Sequence, residues 1–272
     1  MDFNKIIIAG KTRKYTGLDA TEMAMAKKLS GGGGGGGVTI VPFATGTDEE
    51  IVAMIQAAHA GTIDLQADGG WAVGDTRTIS VSAFTISGAA NPQQDVDIVI
   101  TSFDDYMNCG CVMQFDFKNS LSEPIRWNRT NTNVGGYGAS EMKTTTLPAL
   151  LDALPIWLKE NLIEFSCLAS AGNTSTTIET VTGNKLALRS EIEIFGTRNK
   201  SAAGEGSQIQ YYTTAGNRLK KKGKNGINGF WWERSPSISY NSLVCCVNES
   251  PAATDQNAST YTYIYVAPFG CL

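Results

Sequence analysis

The side chains able to do chemistry are few and unevenly placed. Cysteine occurs six times in 272 residues, at Cys109, Cys111, Cys167, Cys245, Cys246 and Cys271, and histidine once, at His59. A histidine metal site needs several imidazoles, and a nucleophile–histidine pair would have to use that single ring. His59 closes the stretch 51–61, which reads as a short amphipathic helix ending at Gly61, where a basic group favours the negative helix end. This predicts a capping role. No cysteine belongs to a C-x-x-C pair, and Cys109-x-Cys111 and the adjacent Cys245-Cys246 read as buried free thiols rather than metal ligands. Neither a metal nor a cofactor is expected.

Carboxylates give a second possible chemistry. Glu191 and Glu193 alternate with Arg189 inside Lys185–Phe195, which reads as one strand with the charged residues on a solvated face. A carboxylate pair is what glycoside hydrolysis uses, yet nothing nearby has the pattern of a sugar cleft. Gly204-Glu205-Gly206 lacks the G-K-S/T ending of a phosphate loop. Lys220–Lys224 is the one basic run and reads as an exposed loop, with anionic cell-wall polymers as its possible contact. No catalytic residue is expected.

Recognition remains. The segment 249–260 is small and polar throughout, and it leads into Tyr261, Tyr263 and Tyr265 at a spacing of two. Tyr, Ser, Asn and Thr are residues that binding loops use, because they combine contact area or adaptable hydrogen bonding with a low ordering cost. On a strand the three tyrosines share one face and form a flat aromatic platform. The same spacing fits tyrosines packed on a helix beside a merely solvated loop. Asn257, Tyr261, Tyr263 and Tyr265 are the candidate ligand-binding residues.

The elements that must position these groups follow from patterning. Seven glycines, Gly31–Gly37, divide the chain, as a flexible linker or as polyglycine packed among neighbouring chains. Ahead of them residues 1–30 form a small module, with a strand over Lys5–Ala9, a turn near Gly10, and a helix opened by Asp19 with Glu22 in capping-box spacing. Thirty residues support no core of their own, so this module requires a partner. Residues 38–272 form the main domain. Strands are expected over Val38–Phe43, Thr78–Phe84, Val96–Phe103, Cys111–Phe117 and Ser242–Asn248. A Thr47–Glu50 capping box opens a helix, and helices are expected over Ala139–Leu151 and Pro155–Leu162. Trp231 and Trp232 are consecutive, so a strand sends one ring to each side to anchor two packing layers, with Glu233 and Arg234 as an ion pair or bound to loop carbonyls and Pro236 as the strand end. Strands at both ends with helices grouped between them indicate an α+β fold.

Composition sets the outer limits. Hydrophobic residues make up 42% and charged residues 18%, which suits a folded globular chain. Lys plus Arg number 22 against 26 acids, a net charge of −4 that offers no basic field for nucleic acid. The apolar run near the start is too short for a signal peptide or a membrane span, so folding in a reducing cytoplasm is expected.

Six stretches carry a resemblance. They are Asn131–Tyr137 (NTNVGGY), Leu188–Gly196 (LRSEIEIFG) with Ala203–Gln208 (AGEGSQ), Phe230–Pro236 (FWWERSP), Val266–Leu272 (VAPFGCL) and Trp71–Arg77 (WAVGDTR). Together, over roughly residues 45–272, they resemble an uncharacterised virion-protein domain family of tailed phages that infect gut Firmicutes. The W-W-E-R-S-P and closing A-P-x-x-C-L pattern is also similar to the formylglycine-generating-enzyme version of the C-type lectin fold. Those enzymes work through copper held by cysteine thiolates. Cys245, Cys246 and Cys271 reproduce no pair at matching places, so the resemblance implies the fold without the chemistry. It implies a phage virion structural protein assembled in the host cytoplasm, acting as a host-surface adhesin or decoration protein. Residues 1–30 would attach to other virion proteins, a host glycan or protein would be the ligand, and the assembly would be a homo-oligomer. The alternative is a purely structural head or tail component that cements neighbouring subunits.

Overall fold

The computed structural model describes residues 5–8, 11–14, 38–86 and 89–272. Near the start, β1 (Lys5–Ile8) pairs antiparallel with β2 (Lys11–Lys14). The helix expected from Asp19 and the Gly31–Gly37 connector lie outside the described residues.

Val38–Phe43 is not the expected strand. Pro42 has no N–H to give to a ladder, and its carbonyl instead accepts from Thr45 and Gly46 in a turn. Next, α1 (Asp48–His59) begins with the expected reciprocal cap: Glu50 N–H donates to Thr47 Oγ1, and Thr47 N–H donates to Glu50 Oε2 at 2.8 Å. Ile51, Met54 and Ile55, at helical spacing, are buried, and His59 is exposed in the last turn.

Five strands follow in β3 (Thr76–Val81), β4 (Phe84–Ile86), β5 (Ala89–Asn91), β6 (Gln94–Ser102) and β7 (Gln114–Phe117). The region expected as a helix over Ala139–Leu151 begins with irregular turns over 137–146 and becomes regular only in α2 (Leu147–Ala153), followed by α3 (Ile156–Asn161). Met142–Thr146 is a wide turn in which Ser140 accepts from Thr144 Oγ1, and such side-chain bonding by hydroxyl residues competes with the regular ladder. Then come β8 (Phe165–Ser170), β9 (Ile178–Asn184) and β10 (Leu186–Ala187).

The expected strand over Lys185–Phe195 stops after two residues and turns into α4 (Glu191–Phe195). Ser190 caps α4 by accepting from Glu193 N–H while Glu193 accepts from Ser190 N–H, the same box as at Thr47. The remaining strands are β11 (Lys220–Lys221), β12 (Asn228–Pro236), β13 (Leu243–Val247), β14 (Ala253–Asn257), β15 (Ile264–Tyr265) and β16 (Phe269–Cys271).

Two five-stranded sheets organise these elements. In the first, the order is β10-β16-β7-β6-β3, antiparallel throughout. The second runs β11-β12-β13-β14, and β15 pairs parallel with β12. The fold is therefore α+β, with mixed helices and largely antiparallel sheet. No described helix is long and apolar enough to cross a membrane.

Trp231 and Trp232 are fully buried, as expected of core anchors. They serve separate layers: Trp231 stacks on Tyr212 and donates Nε1–H to the Arg218 carbonyl, while Trp232 donates to the Ile125 carbonyl. Trp71 and Trp127 are buried likewise and donate to the carbonyls of Val41 and Glu233. Each ring thus buries a large apolar area without orphaning its one polar atom.

Candidate functional site

The polar tail segment is not a free loop. Residues 253–257 form β14, paired in register with β13 from Leu243↔Asn257 to Val247↔Ala253. Asn257 ends this strand exposed, and its Oδ1 accepts from Asn131 Nδ2 at 3.2 Å. Tyr261 is 64% exposed and Tyr263 40%, whereas Tyr265 is buried at 6%. The three tyrosines therefore form no common platform. The turn at 258–259 and the bend at 262–263 break the strand period, and only Ile264–Tyr265 pairs with β12, so Tyr265 enters the interior beside Gly229, under the Lys222 ammonium. Tyr263 lies edge-on to Phe230, and its hydroxyl donates to Gln256 Oε1 at 2.8 Å.

A scaffold loop holds this surface from below. Trp127 and Asn128 donate their backbone N–H groups to the Ala258 carbonyl, one residue past Asn257. Buried Asn133 donates through Nδ2 to the Tyr240 and Leu243 carbonyls, and its Oδ1 accepts from Asn173 N–H. Tyr240, 62% exposed, stands on the loop that Asn133 pins. It belongs with the candidate residues and was missed in the sequence, although Ser237–Ser242 has the same small, polar, tyrosine-bearing composition as the tail.

Tyr261 also walls a cleft of about 80 Å³ that it shares with Ile86, Asn91, Arg126, Glu141 and Thr146. Asn91 Oδ1 and Thr146 Oγ1 are buried there and have no hydrogen-bond partner among the described residues. Arg126 Nε donates to Glu141 Oε2 at 2.9 Å at the same cleft.

Charged residues expected on the surface are inside. Arg189, Glu191 and Glu193, read as one solvated strand face, are all fully buried, because the chain turns into α4 at Ser190. Arg189 donates Nε and Nη2 to Asp116, Nη1 to Gln114 and Nη2 to Thr101, and its guanidinium lies 3.6 Å from the Phe269 ring centre. Arg234 pairs with Glu193 rather than with Glu233, through two bonds of 2.6 and 2.8 Å, and also donates to the Leu168, Leu188 and Glu205 carbonyls. Glu191 accepts from the N–H groups of Asn199, Lys200 and Ser201. Burial pushes the Asp116 and Glu193 carboxyls up, but the facing guanidiniums outweigh it and hold both below the usual carboxylate range.

Two acids go the other way. Burial raises Glu205 to about 7 despite its bonds with Ser235 Oγ and Ser170 N–H. Burial also raises Glu233 well above the usual range, reinforced by Glu191 and Glu205, and neither of its carboxyl oxygens has a hydrogen-bond partner among the described residues. The basic run is likewise only partly a surface loop: Lys220 is buried in β11, donates to the Phe117 carbonyl, and is lowered by burial to about 8.

An open cleft of about 430 Å³ borders this network at Tyr106, Gln114, Glu193, Glu205 and Arg234. Its carboxylates are already engaged: Glu193 takes bonds from Arg234, Tyr106 Oη and Ser190 N–H, and Glu205 from Ser170 and Ser235. A general acid or base must reach the proton it moves. Through these bonds the two carboxylates tie α4 and residues 204–206 to β8 and β12.

No protein-family model, curated protein or solved structure matches the chain.

Proposed function

We propose that this chain is a structural protein of a tailed-phage virion, assembled in the host cytoplasm, whose main domain has a C-type-lectin-like fold and serves as a host-surface adhesin or decoration without catalysis. In this reading residues 1–30 attach to other virion proteins, Gly31–Gly37 connect, and residues 38–272 meet the host, in a homo-oligomer. The observation that carries it is the cleft beside Tyr261. Exposed Tyr261, Tyr263, Tyr240 and Asn257 stand on a pinned scaffold, and Arg126 and Glu141 border the same cleft as Tyr261. A surface glycan supplies hydroxyls for the exposed Asn257 amide and flat ring faces for the tyrosines. Buried charge networks support the reading too, since binding loops work best when a rigid frame holds them.

The test is the triple variant Asn257→Ala, Tyr261→Ala, Tyr263→Ala. It should melt close to the wild type while particles carrying it adsorb poorly to host cells. A stable variant with unaltered adsorption would favour the second reading, a head or tail component that only cements neighbours.

A further inference from the structure

Three of the six thiols converge. The Sγ atoms of Cys109, Cys111 and Cys271 all lie within 4.8 Å of one another, with Cys109 half-buried and the other two buried. All six cysteines are free.

The backbone is shaped for this meeting. Along an extended strand, residues two apart are spaced by about 6.5 Å. Between Tyr106 and Cys111 the chain is not extended: Met107, Asn108 and Gly110 have φ of 53, 56 and 86°, which curls the segment on itself. Asp105 Oδ1 accepts from both Gly110 N–H (2.7 Å) and Cys111 N–H (3.2 Å), fixing the curl. Tyr106 N–H points at Cys111 Sγ at 3.3 Å, and the thiol donates to the Asp104 carbonyl at 3.7 Å, the bond that metal binding would replace. The third thiol arrives on β16, placed by Cys271↔Gln114 pairing and by Leu272 N–H donating to the Met113 carbonyl.

We propose that Cys109, Cys111 and Cys271 bind one thiophilic divalent cation of the zinc type, tying the 105–111 loop to β16. A tetrahedral site with metal–sulfur bonds of about 2.3 Å places its sulfurs about 3.8 Å apart, so the thiols need to close by no more than about 1 Å. Thiolate ligands select Zn2+ over the oxygen-seeking Mg2+ and Ca2+. Each thiol loses its proton as it becomes a ligand, and a water would complete the four-coordinate shell. This inference stands apart from the adhesin reading, since it uses none of the same residues.

The experiment is a titration of the reduced, chelator-stripped full chain with Cd2+, followed by the near-ultraviolet thiolate-to-metal absorption, and with Zn2+ against a chromophoric chelator. One equivalent should bind, the absorption should correspond to three thiolates, and the melting temperature should rise. Cys109→Ser, at the half-buried position, should fold and lose the three-thiolate absorption, whereas Cys167→Ala should retain it. Absence of metal-induced absorption and of any rise in melting temperature in the folded wild type would overturn the proposal. So would its full retention in Cys109→Ser, or a disulfide among the three that forms in air equally with and without Zn2+.

Discussion

Residues 188–205 and 253–263 are both rich in polar side chains, and the fold uses them in opposite ways. The first stretch turns four of its charges inward, leaving Arg198 outside: Arg189, Glu191, Glu193 and Glu205 are buried, each with several partners. The second keeps Asn257, Tyr261 and Tyr263 outward on a strand end and a turn. Charge density did not decide which stretch faced water. A guanidinium with carboxylate and carbonyl partners on all sides tolerates burial, whereas tyrosines at a chain reversal have nothing above them. Rigid inside and wet outside is the division of labour a binding surface needs.

The largest way to break this contrast is Arg234→Leu. It leaves Glu193 buried without its paired cation and removes a donor from the Leu168, Leu188 and Glu205 carbonyls, so chemical denaturation should show a loss of about 3 to 5 kcal/mol. Adding Glu193→Leu in the same chain should recover part of that loss, since an uncompensated charge is the main cost. Trp231→Ala or Trp232→Ala should cost a similar amount, about 3 to 5 kcal/mol, by opening a cavity in either layer. An effect below about 1 kcal/mol at both would mean that the interior has been misread.

Next is the acid that burial raises. Glu205 titrates at about 7 in the folded chain against 4.5 for an ordinary glutamate, so the folded state holds its proton more tightly. Its contribution is therefore fully present below about pH 4.5 and is lost as pH rises through 7, a swing of about 3 kcal/mol. Asp116 and Glu193, lowered by their arginines, oppose it: their contribution is present above the ordinary carboxylate range and is lost as pH falls. Glu205→Gln keeps a hydrogen-bonding amide but no proton to lose, so the decline between pH 5 and 8 should flatten when unfolding is followed against pH.

The smallest effects sharpen the outer half. Tyr265→Ala should cost about 3 kcal/mol, while Tyr261→Ala should stay within about 0.5 kcal/mol, although the two differ by only four positions. Equal costs at both would put Tyr261 in the core and remove it from the surface.

How much could be read beforehand depended on how local the determining interaction was. The Thr47–Glu50 cap, the tryptophan pair and the strands near 96–102, 114–117 and 243–247 were legible, because a cap or an alternating apolar run is decided by neighbours in sequence. The Lys185–Phe195 strand was not, although Ser190 and Glu193 have the capping-box spacing that ends it; alternating charges masked that signal. Arg234 choosing Glu193 over Glu233, and Tyr265 leaving Tyr261 and Tyr263, depend on contacts from β8, α4 and β12 that no spacing rule carries. The meeting of Cys109 with Cys271 is of the same kind.

The place of β16 has a consequence for how the chain is made. In the first sheet it lies between β10 and β7, pairing Phe269 with Asp116, roughly 150 residues earlier in synthesis. While translation proceeds, β7 and β10 leave the ribosome with facing edges bare, and loop-closure entropy favours no early closure across such a distance. Bare edges invite pairing with other nascent chains, so chaperone protection during elongation is to be expected. A chain released before Phe269 has a first sheet in which β10 is cut off from β7.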